Sequence, residues 1–576
     1  MERRVLVAIF LSFLVLYGYQ AFFVKPVPKP TAAAASTAQG ANRSTASGAT
    51  KAGTPQAMAS APALPMAAAL VGDATERDIR VETRDVIAVF TNRGARLKSW
   101  RLKKYLDQEH KPQDLVESQL AGQPLPFTLA TSDAQLDTTL NSALYSANMA
   151  PAEMITSPFD LRFEYRDAAG VQSVKTFHFV PDSYMVAVRA DVTAGTRAIT
   201  PAIVWGPAVG DIAEISRYTQ RAEGLLFQAG KVQRLAPKDI TKQPAYDGDF
   251  FFAGVDDNYF MTVALSTGQS KVSYQAVSIP PAPGSKDAAR DLVSYSIEPK
   301  RPAAVQFFAG PKDFDVLAAI GPDATRAINF GMFAVIVVPL LKSLKWINSY
   351  VGNYGWAIIL LTVIINIIIF PLRHKSVVSM RKMQEIQPEV KAIQDRYSKL
   401  KATDPAKAKM NQEMMGLYKE RGVNPASGCI PILLTFPLIF AFYALLSTAI
   451  ELRGAPFMGW IHDLSAHDPF YVTPVLMGAS QLWQQWTMPQ TGVDPAQQKM
   501  MMFMPIMFTF MFLWAPSGLA IYWLVSNVWQ IGQQYATNYI IGPPAVRTLR
   551  PAAERRLKRV GGGKTDAADS QKKSND

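Results

Sequence analysis

The sequence predicts a polytopic α-helical membrane protein with six transmembrane helices, a large all-β domain outside the membrane and a cytoplasmic helical hairpin. Three observations carry this. Apolar runs long enough to span a bilayer fall in two places, residues 5–24 and a crowded stretch over 354–541. More than 200 residues between them read as short alternating strands broken by turns. A strongly basic, helix-periodic segment interrupts the second group of spans. The chain has 576 residues, 49% of them hydrophobic, and a formal net charge of +13. The basic residues flank the apolar runs, so the charge points to anionic lipid rather than to any specific contact with nucleic acid.

Residues 1–24 predict an uncleaved anchor. Arg3 and Arg4 precede an apolar run from Val5 to Val24, and Tyr17, Tyr19, Phe22 and Phe23 crowd its far end as an aromatic belt does. A signal peptide cut near the Ala-rich stretch "TAAAAS" is the competing reading. Residues 25–72 are rich in Ala, Pro, Ser and Thr without apolar period, which predicts a flexible linker. Residues 73–310 predict a β-sandwich. "IRVETRDVIAVFTNRGARLKSWRL" reads strand–turn–strand around Asn92-Arg93-Gly94, and "VQSVKTFHFVPDSYMVAVRADV" repeats the pattern around Pro181-Asp182-Ser183. In residues 311–350, Met332–Leu341 is apolar but short before Lys342 and Lys345, which predicts interfacial amphipathic helices, with a short span as the alternative.

Five further spans are expected within 354–541, at Tyr354–Leu372, Ser427–Ile450, Tyr471–Thr487, Met500–Ala515 and Ser517–Ile541. Pro431, Pro437, Pro474 and Pro505 lie inside them, which neighbouring helices tolerate. Six spans with the N-terminus inside put the C-terminus inside. The basic tail of residues 542–576, with Arg547, Arg550, Arg555, Arg556, Lys558 and Arg559, agrees. Residues 373–425 carry twelve Lys or Arg against six Asp or Glu, a net +6, and so belong in the cytoplasm. Met383, Ile386, Val390, Ile393, Tyr397 and Leu400 step along this segment as a heptad seam. A second helix begins near Pro405, ends near Gly422 and carries Met410, Met414, Leu417 and Tyr418. The pattern is an antiparallel hairpin. Its stripes either pack on each other or, with Met383, Arg396, Met410 and Met414, offer a Met-rich basic surface to a partner.

The spans are speckled with polar residues at one depth. At 1.5 Å rise per residue, Asn366 lies roughly 18 Å below Tyr354 and about 9 Å from Leu372, with Thr362 one turn above it. Gln481 is about 15 Å from Tyr471, and Gln484 and Gln485 lie one turn further in. Ser526, Asn527, Gln530, Gln533 and Gln534 occupy the inner part of the last span, and Thr435, beside Phe436, lies about 12 Å from Ser427. The outer halves are apolar and aromatic, with Trp356, Ile358, Phe512, Trp514, Tyr522 and Trp523. Such amides act either as interhelical glue, averaging about 0.6 kcal/mol per bond, or as the lining of a water-holding groove open to the cytoplasm. Their shared depth on several spans favours the groove. A charge at mid-bilayer costs about 2.5–3.5 kcal/mol, so a hydrated half-membrane path eases transfer of a short polar tail while its apolar helix slides into lipid.

Enzymatic and metal chemistry finds little support. The five histidines form no H-E-x-x-H, and the single Cys429 excludes C-x-x-C and an intrachain disulfide. "IHDLSAHDP" reads as a polar interfacial loop rather than a metal site, and "GGGKT" lacks the first glycine of a phosphate loop. No cofactor is expected. A transporter or channel, or a purely structural envelope tether, remains as an alternative. The first predicts paired repeats or ionisable residues in the spans, and neither is visible. The second does not account for the depth-sorted amides.

"QEMMGLYKERGVNP", "NPASGCIPILLTFPLIFAFYALL", "ELRGAPFMGWIHDLSAHDPFYVTPVLMG" and "DPAQQKMMMFMPIMFTFMFLWAPSGLAIYWLVSN" resemble the YidC membrane-protein insertases, over nearly all of Tyr354–Ile541. "FTNRGARLKSWRL" and "FFAGPKDFDVL" resemble the periplasmic domain of Gram-negative members. The resemblance implies a multi-pass inner-membrane insertase and chaperone with a periplasmic β-supersandwich. It also implies nascent membrane proteins as clients, contact with ribosomes and cooperation with the Sec translocon. The expected groove residues are Asn366, Thr362, Thr435, Phe436, Gln481, Gln484, Ser526 and Gln530. One departure stands out. Five residues before the proline of Pro371-Leu372, where the family usually has an arginine, this chain has Asn366. Arg373 is the nearest residue able to restore a charge by snorkelling.

Overall fold

The structure, a computed structural model, describes residues 68–541 except 108, 119, 121, 149–153, 208–221, 280–289, 398–405, 424–429 and 488–494. The expected anchor, most of the linker, Leu400, Pro405 and the basic tail lie outside the described residues. The chain divides into two compact units, Met1–Pro65 with Glu389–Val423, and Met66–Pro388 with Asn424–Asp576.

In the second unit, residues 69–311 fold into sheets of 11, five and four strands, every described pairing antiparallel. Alternation in the sequence becomes alternation in burial. Along the strand Phe159–Asp167, Leu161, Phe163, Tyr165 and Asp167 point inward, while Arg162, Glu164 and Arg166 do not. Both expected turns form. Gly94 adopts φ +68° between the strands Val86–Thr91 and Arg96–Leu106, and Asp182 adopts φ +57° between Val171–Phe179 and Met185–Ala194. At Gly94 a Cβ would meet the carbonyl oxygen of Asn141 at 2.6 Å, so only glycine fits. One aromatic core joins the three sheets. Phe177 of the largest packs 4.7 Å from Phe90 of the smallest and 5.2 Å from Phe127, which packs 5.3 Å from Trp205 of the third.

Helices α1 (Ala134–Ser142) and α2 (Pro237–Ile240) decorate the sheets, and α3 (Phe314–Ile320) closes the β region. Helix α4 (Ala334–Val351) buries Val337, Leu340, Leu341, Leu344 and Ile347 on one face and leaves Val335, Trp346 and Tyr350 exposed. Gly352, at φ +69°, ends it, and the Asn353 side chain caps the next helix by accepting from Gly355 N at 2.9 Å and Trp356 N at 3.2 Å. That helix, α5 (Tyr354–Glu385), does not stop at Leu372: its 32 residues run through Pro371, whose missing hydrogen bond is tolerated there. Helix α6 is Gln387–Arg396 and α7 is Ala406–Glu420. The remaining helices are α8 (Ile430–Thr448), α9 (Val472–Thr487), α10 (Pro495–Phe512) and α11 (Ser517–Ile541). Two described helices, Gly331–Val351 and Tyr354–Glu385, are long and apolar enough to cross a membrane by length and composition. Phe436–Thr448 and Met502–Phe512 are shorter apolar segments.

The expected continuous heptad seam is broken. Met383 belongs to α5, Ile386 caps it, and Val390 and Ile393 lie on α6. Pro388 explains the break, because it lacks a donor and restricts Gln387, so the helix restarts. In the first unit α6 and α7 run antiparallel. Arg396 pairs with Glu413 at 3.1 Å and Arg421 with Glu389 at 2.9 Å, and Val390, Ile393 and Val423 are buried. Met410 and Met414 are half-buried.

Lys175 ties the sheets together. It is wholly buried, and its ammonium donates to the carbonyls of Gly94 at 2.6 Å and Phe127 at 2.8 Å. Burial holds its pKa well below the ordinary lysine value. Lys175→Met would orphan these carbonyls. The expected loss is about 3 kcal/mol, read as a lower thermal midpoint of the purified protein.

Candidate insertion groove

Helices α5, α8, α9 and α11 surround a cavity of about 160 Å³ lined by Asn366, Arg373, Leu438, Ile439, Gln481, Gln484, Tyr522, Trp523, Ser526, Asn527 and Gln530. A single water needs only about 10–15 Å³ of such space, so the cavity has room for several. The structure therefore brings together five of the eight expected groove residues: Asn366, Gln481, Gln484, Ser526 and Gln530. Thr362 is buried one turn above, and its hydroxyl donates to Ile358 O at 2.6 Å. It braces α5 and does not line the cavity. Phe436 is 53% exposed and turns away, packing 5.8 Å from Phe440, while its helix neighbours Leu438 and Ile439 supply the wall. Leu438, two positions on, is turned about 200° around the helix from Phe436. The Thr435 side chain lies outside the described residues.

The polar groups divide between two roles. Gln484 Nε2 donates to Gln530 Oε1 at 2.7 Å, and Asn527 Nδ2 to Ser480 Oγ at 3.0 Å. These bonds join α9 to α11 and are interhelical glue. Gln481 Oε1 is buried without a hydrogen-bond partner among the described residues, on a side chain that lines the cavity. An orphaned acceptor of this kind is satisfied by water.

Arg373, named from the sequence only as the nearest residue able to snorkel, lines the cavity itself. Its guanidinium donates from Nη1 to Asn366 Oδ1 at 2.9 Å, and Asn366 Nδ2 donates to Thr362 O at 2.8 Å. Among the described lining residues Arg373 carries the only charge. The signal for this was available: helical side chains lean toward the N-terminus, so a long one reaches back about two turns. Above the cavity an aromatic layer closes the helices. Phe442 stacks on Tyr522 at 4.0 Å, and Trp523 packs 5.0 Å from Phe512. Below, Arg381 on the extension of α5 donates to Asn538 on α11.

The loop "IHDLSAHDP" builds the entry to α9. Asp468 accepts from Thr473 N at 2.7 Å, Phe470 N at 3.0 Å and Trp460 Nε1 at 2.9 Å. Burial would raise its pKa, but these bonds outweigh burial and hold it below the ordinary value.

Residues 78–343 match the family model "YidC periplasmic domain", and residues 346–542 match "60Kd inner membrane protein". The membrane protein insertase YidC of Geobacter metallireducens is 37% identical over 93% of this chain and 98% of its own length. This chain belongs to the YidC membrane protein insertase family. The YidC of Citrifermentans bemidjiense is 36% identical over 93% of this chain and 99% of its own length. A crystal structure titled as an active YidC insertase with its first transmembrane domain resolved covers 81% of this chain and 93% of that one, at 19% identity and a TM-score of 0.34. As a member of this family, the chain is an inner-membrane protein with a periplasmic all-β domain and a helical membrane region. It inserts membrane proteins and is not an enzyme, and nascent membrane proteins are its substrates. The transporter alternative has no support.

The Gln484–Gln530 bond has a measurable consequence. A double-mutant cycle with Gln484→Leu and Gln530→Leu, read by denaturant unfolding in micelles, should give a coupling of about 0.6 kcal/mol.

Proposed function

We propose that YidC-type insertion in this chain proceeds through the Asn366–Gln481 cavity, as a hydrated groove open to the cytoplasm and to lipid. The observation that carries the reading is one cavity holding an orphaned amide oxygen, an arginine and five further polar side chains beneath an aromatic layer. A polar tail meets water and hydrogen-bonding groups over the inner half of the bilayer, and only the outer half remains dry. The attached apolar segment then leaves sideways into lipid, driven by partitioning.

In this reading the chain has six spans, namely residues 1–24 and helices α5, α8, α9, α10 and α11, and both termini are cytoplasmic. The linker joins the anchor to the periplasmic domain and ends before the strand Ala69–Val71, which pairs with Phe159–Asp167, and α4, buried on one side, lies along the outer surface. The hairpin of α6 and α7 is cytoplasmic and docks ribosomes, and the core cooperates with the Sec translocon. Because Arg396 is engaged with Glu413 and both methionines are half-buried, the docking face is better sought in the exposed Lys391, Lys409 and Lys419.

Asn366 holds the groove cation instead of being it. The test is insertion of clients differing only in tail charge, at low and high salt. Arg373→Gln should slow acidic-tailed clients about tenfold at low salt, leave neutral tails within about twofold, and lose the salt dependence of the parent. Equal slowing of both clients would assign Arg373 to packing. In a Cys429→Ser background, cysteine at position 481 should react with a soluble thiol reagent from the cytoplasmic side, and one at position 120 only from outside. Protection of position 481 from the soluble reagent would overturn the hydrated groove.

A further inference from the structure

At the outer face, the β domain grips the end of α8. Asn258 Nδ2 donates to Ser447 O at 3.0 Å, one residue before the end of α8. Arg453 donates to Leu106 O at 2.8 Å and Gln113 Oε1 at 2.9 Å, with its guanidinium 5.2 Å from the centre of the Phe260 ring. Between these two attachments, Glu451 sits in a single 3-10 turn, its side chain only 6% exposed. It faces a cluster drawn from separate segments. Lys345 of α4 places its ammonium 3.1 Å from Glu451, 2.6 Å from Asp315 and 3.7 Å from Asp313. Asp313 is also the cap of α3, accepting from the backbone of Asp315 and Val316.

One ammonium thus serves three carboxylates. The other titratable groups facing Glu451 are phenols: Tyr105 from the β domain and Tyr354 at the start of α5. Burial pushes the Tyr105 phenol up, and the carboxylates of the cluster push the same way. A phenol ionises only near pH 10, so neither tyrosine supplies a charge to the cluster at neutral pH. Burial also raises the Glu451 pKa, with Lys345 opposing the rise and Asp313 adding to it. The ammonium is therefore what holds these acidic segments together, and without it they repel. The consequence reaches inward. Leu438 and Ile439, the apolar wall of the groove, lie on the same helix as Ser447, about 12 Å further along.

We infer that Lys345 is a positioning residue for insertion: it clamps the outer end of α8 to the β domain and so sets the groove wall at Leu438 and Ile439. The inference rests on the groove reading, and the test separates the two. Proteoliposomes carry the β domain in the lumen, where pH is set. Insertion of a single-span client is followed in the otherwise unaltered protein. Thiol reactivity is followed in parallel in Ile439→Cys, placed in the Cys429→Ser background. Variants are Lys345→Met, Lys345→Arg, and Lys345→Met combined with Glu451→Gln. In Lys345→Met the Glu451 pKa rises further, so the carboxyl is charged at high pH and neutral at low pH. The defect should therefore be deepest at lumenal pH 8.5, about fivefold in rate, and should shrink below twofold at pH 5.5. The double variant should insert at nearly the parent rate at both pH values, Lys345→Arg likewise, and thiol reactivity at position 439 should change in step with insertion. A Lys345→Met defect independent of pH, or a double variant no better than the single one, would overturn the clamp. Failure of the single variant to fold leaves the double variant to decide. A thiol at position 439 that is unreactive while Lys345 is intact would instead count against the hydrated groove.

Discussion

Lipid offers no hydrogen bonds, so every polar group placed inside the bilayer must find a partner in protein or water. That constraint organises the membrane half of this molecule. It explains why the amides gather at one depth on facing helices: Gln484 has Gln530, Asn527 has Ser480, and Asn366 has both the Thr362 carbonyl and Arg373. It also explains why the aromatic layer sits where it does. Phe442, Tyr522, Phe512 and Trp523 carry few polar atoms and pack on the side of the cavity away from Arg381 and Asn538, where few partners are needed. Gln481 Oε1 faces the cavity without a protein partner among the described residues, while Trp529 Nε1 and Gln533 Nε2 of α11 are buried without one outside its lining.

The periplasmic domain meets the same demand in another medium. Lys175 is buried among carbonyls, and Lys312 lies 2.8 Å from the buried Asp256, which Arg234 also approaches at 2.6 Å. Lys175 has carbonyl oxygens from turns of separate strands and works as a staple. Lys312 is paired, and although burial lowers its pKa, Asp256 opposes the shift. Both lysines hold non-local segments together, which a chain with one cysteine cannot do by disulfide.

Periodicity and residue type made much of this legible. The strand alternation, the turns at Gly94 and Asp182, and the last helix at Ser517–Ile541 follow directly from the sequence. Depth counting along each helix located Asn366, Gln481, Gln484, Ser526 and Gln530 because a helix rises uniformly. Depth does not fix azimuth, and Phe436 faces away from the cavity for that reason. Thr362 shares the Asn366 face of its helix but sits one turn above the lining residues. The continuity of α5 through Pro371 was equally hidden, since proline ends a helix in water but not always in a membrane. The clamp at Lys345 joins residues distant in sequence, and no local pattern announces it.

The position of Asn366 shows how a short polar side chain and a long charged one can share a task. An arginine rooted at mid-bilayer would carry its full charge there with its backbone fixed at the same depth. Rooted at position 373, the same guanidinium reaches the groove by lying back along its own helix, and its aliphatic stem covers apolar surface. Asn366 supplies the acceptor that stabilises the bent-back conformer, and gives its own donor to Thr362. The charge is then held by side-chain contacts, the Asn366 hydrogen bond among them, rather than by a root at the same depth. In the proposed mechanism this places the guanidinium among the lining residues that a tail carboxylate would meet.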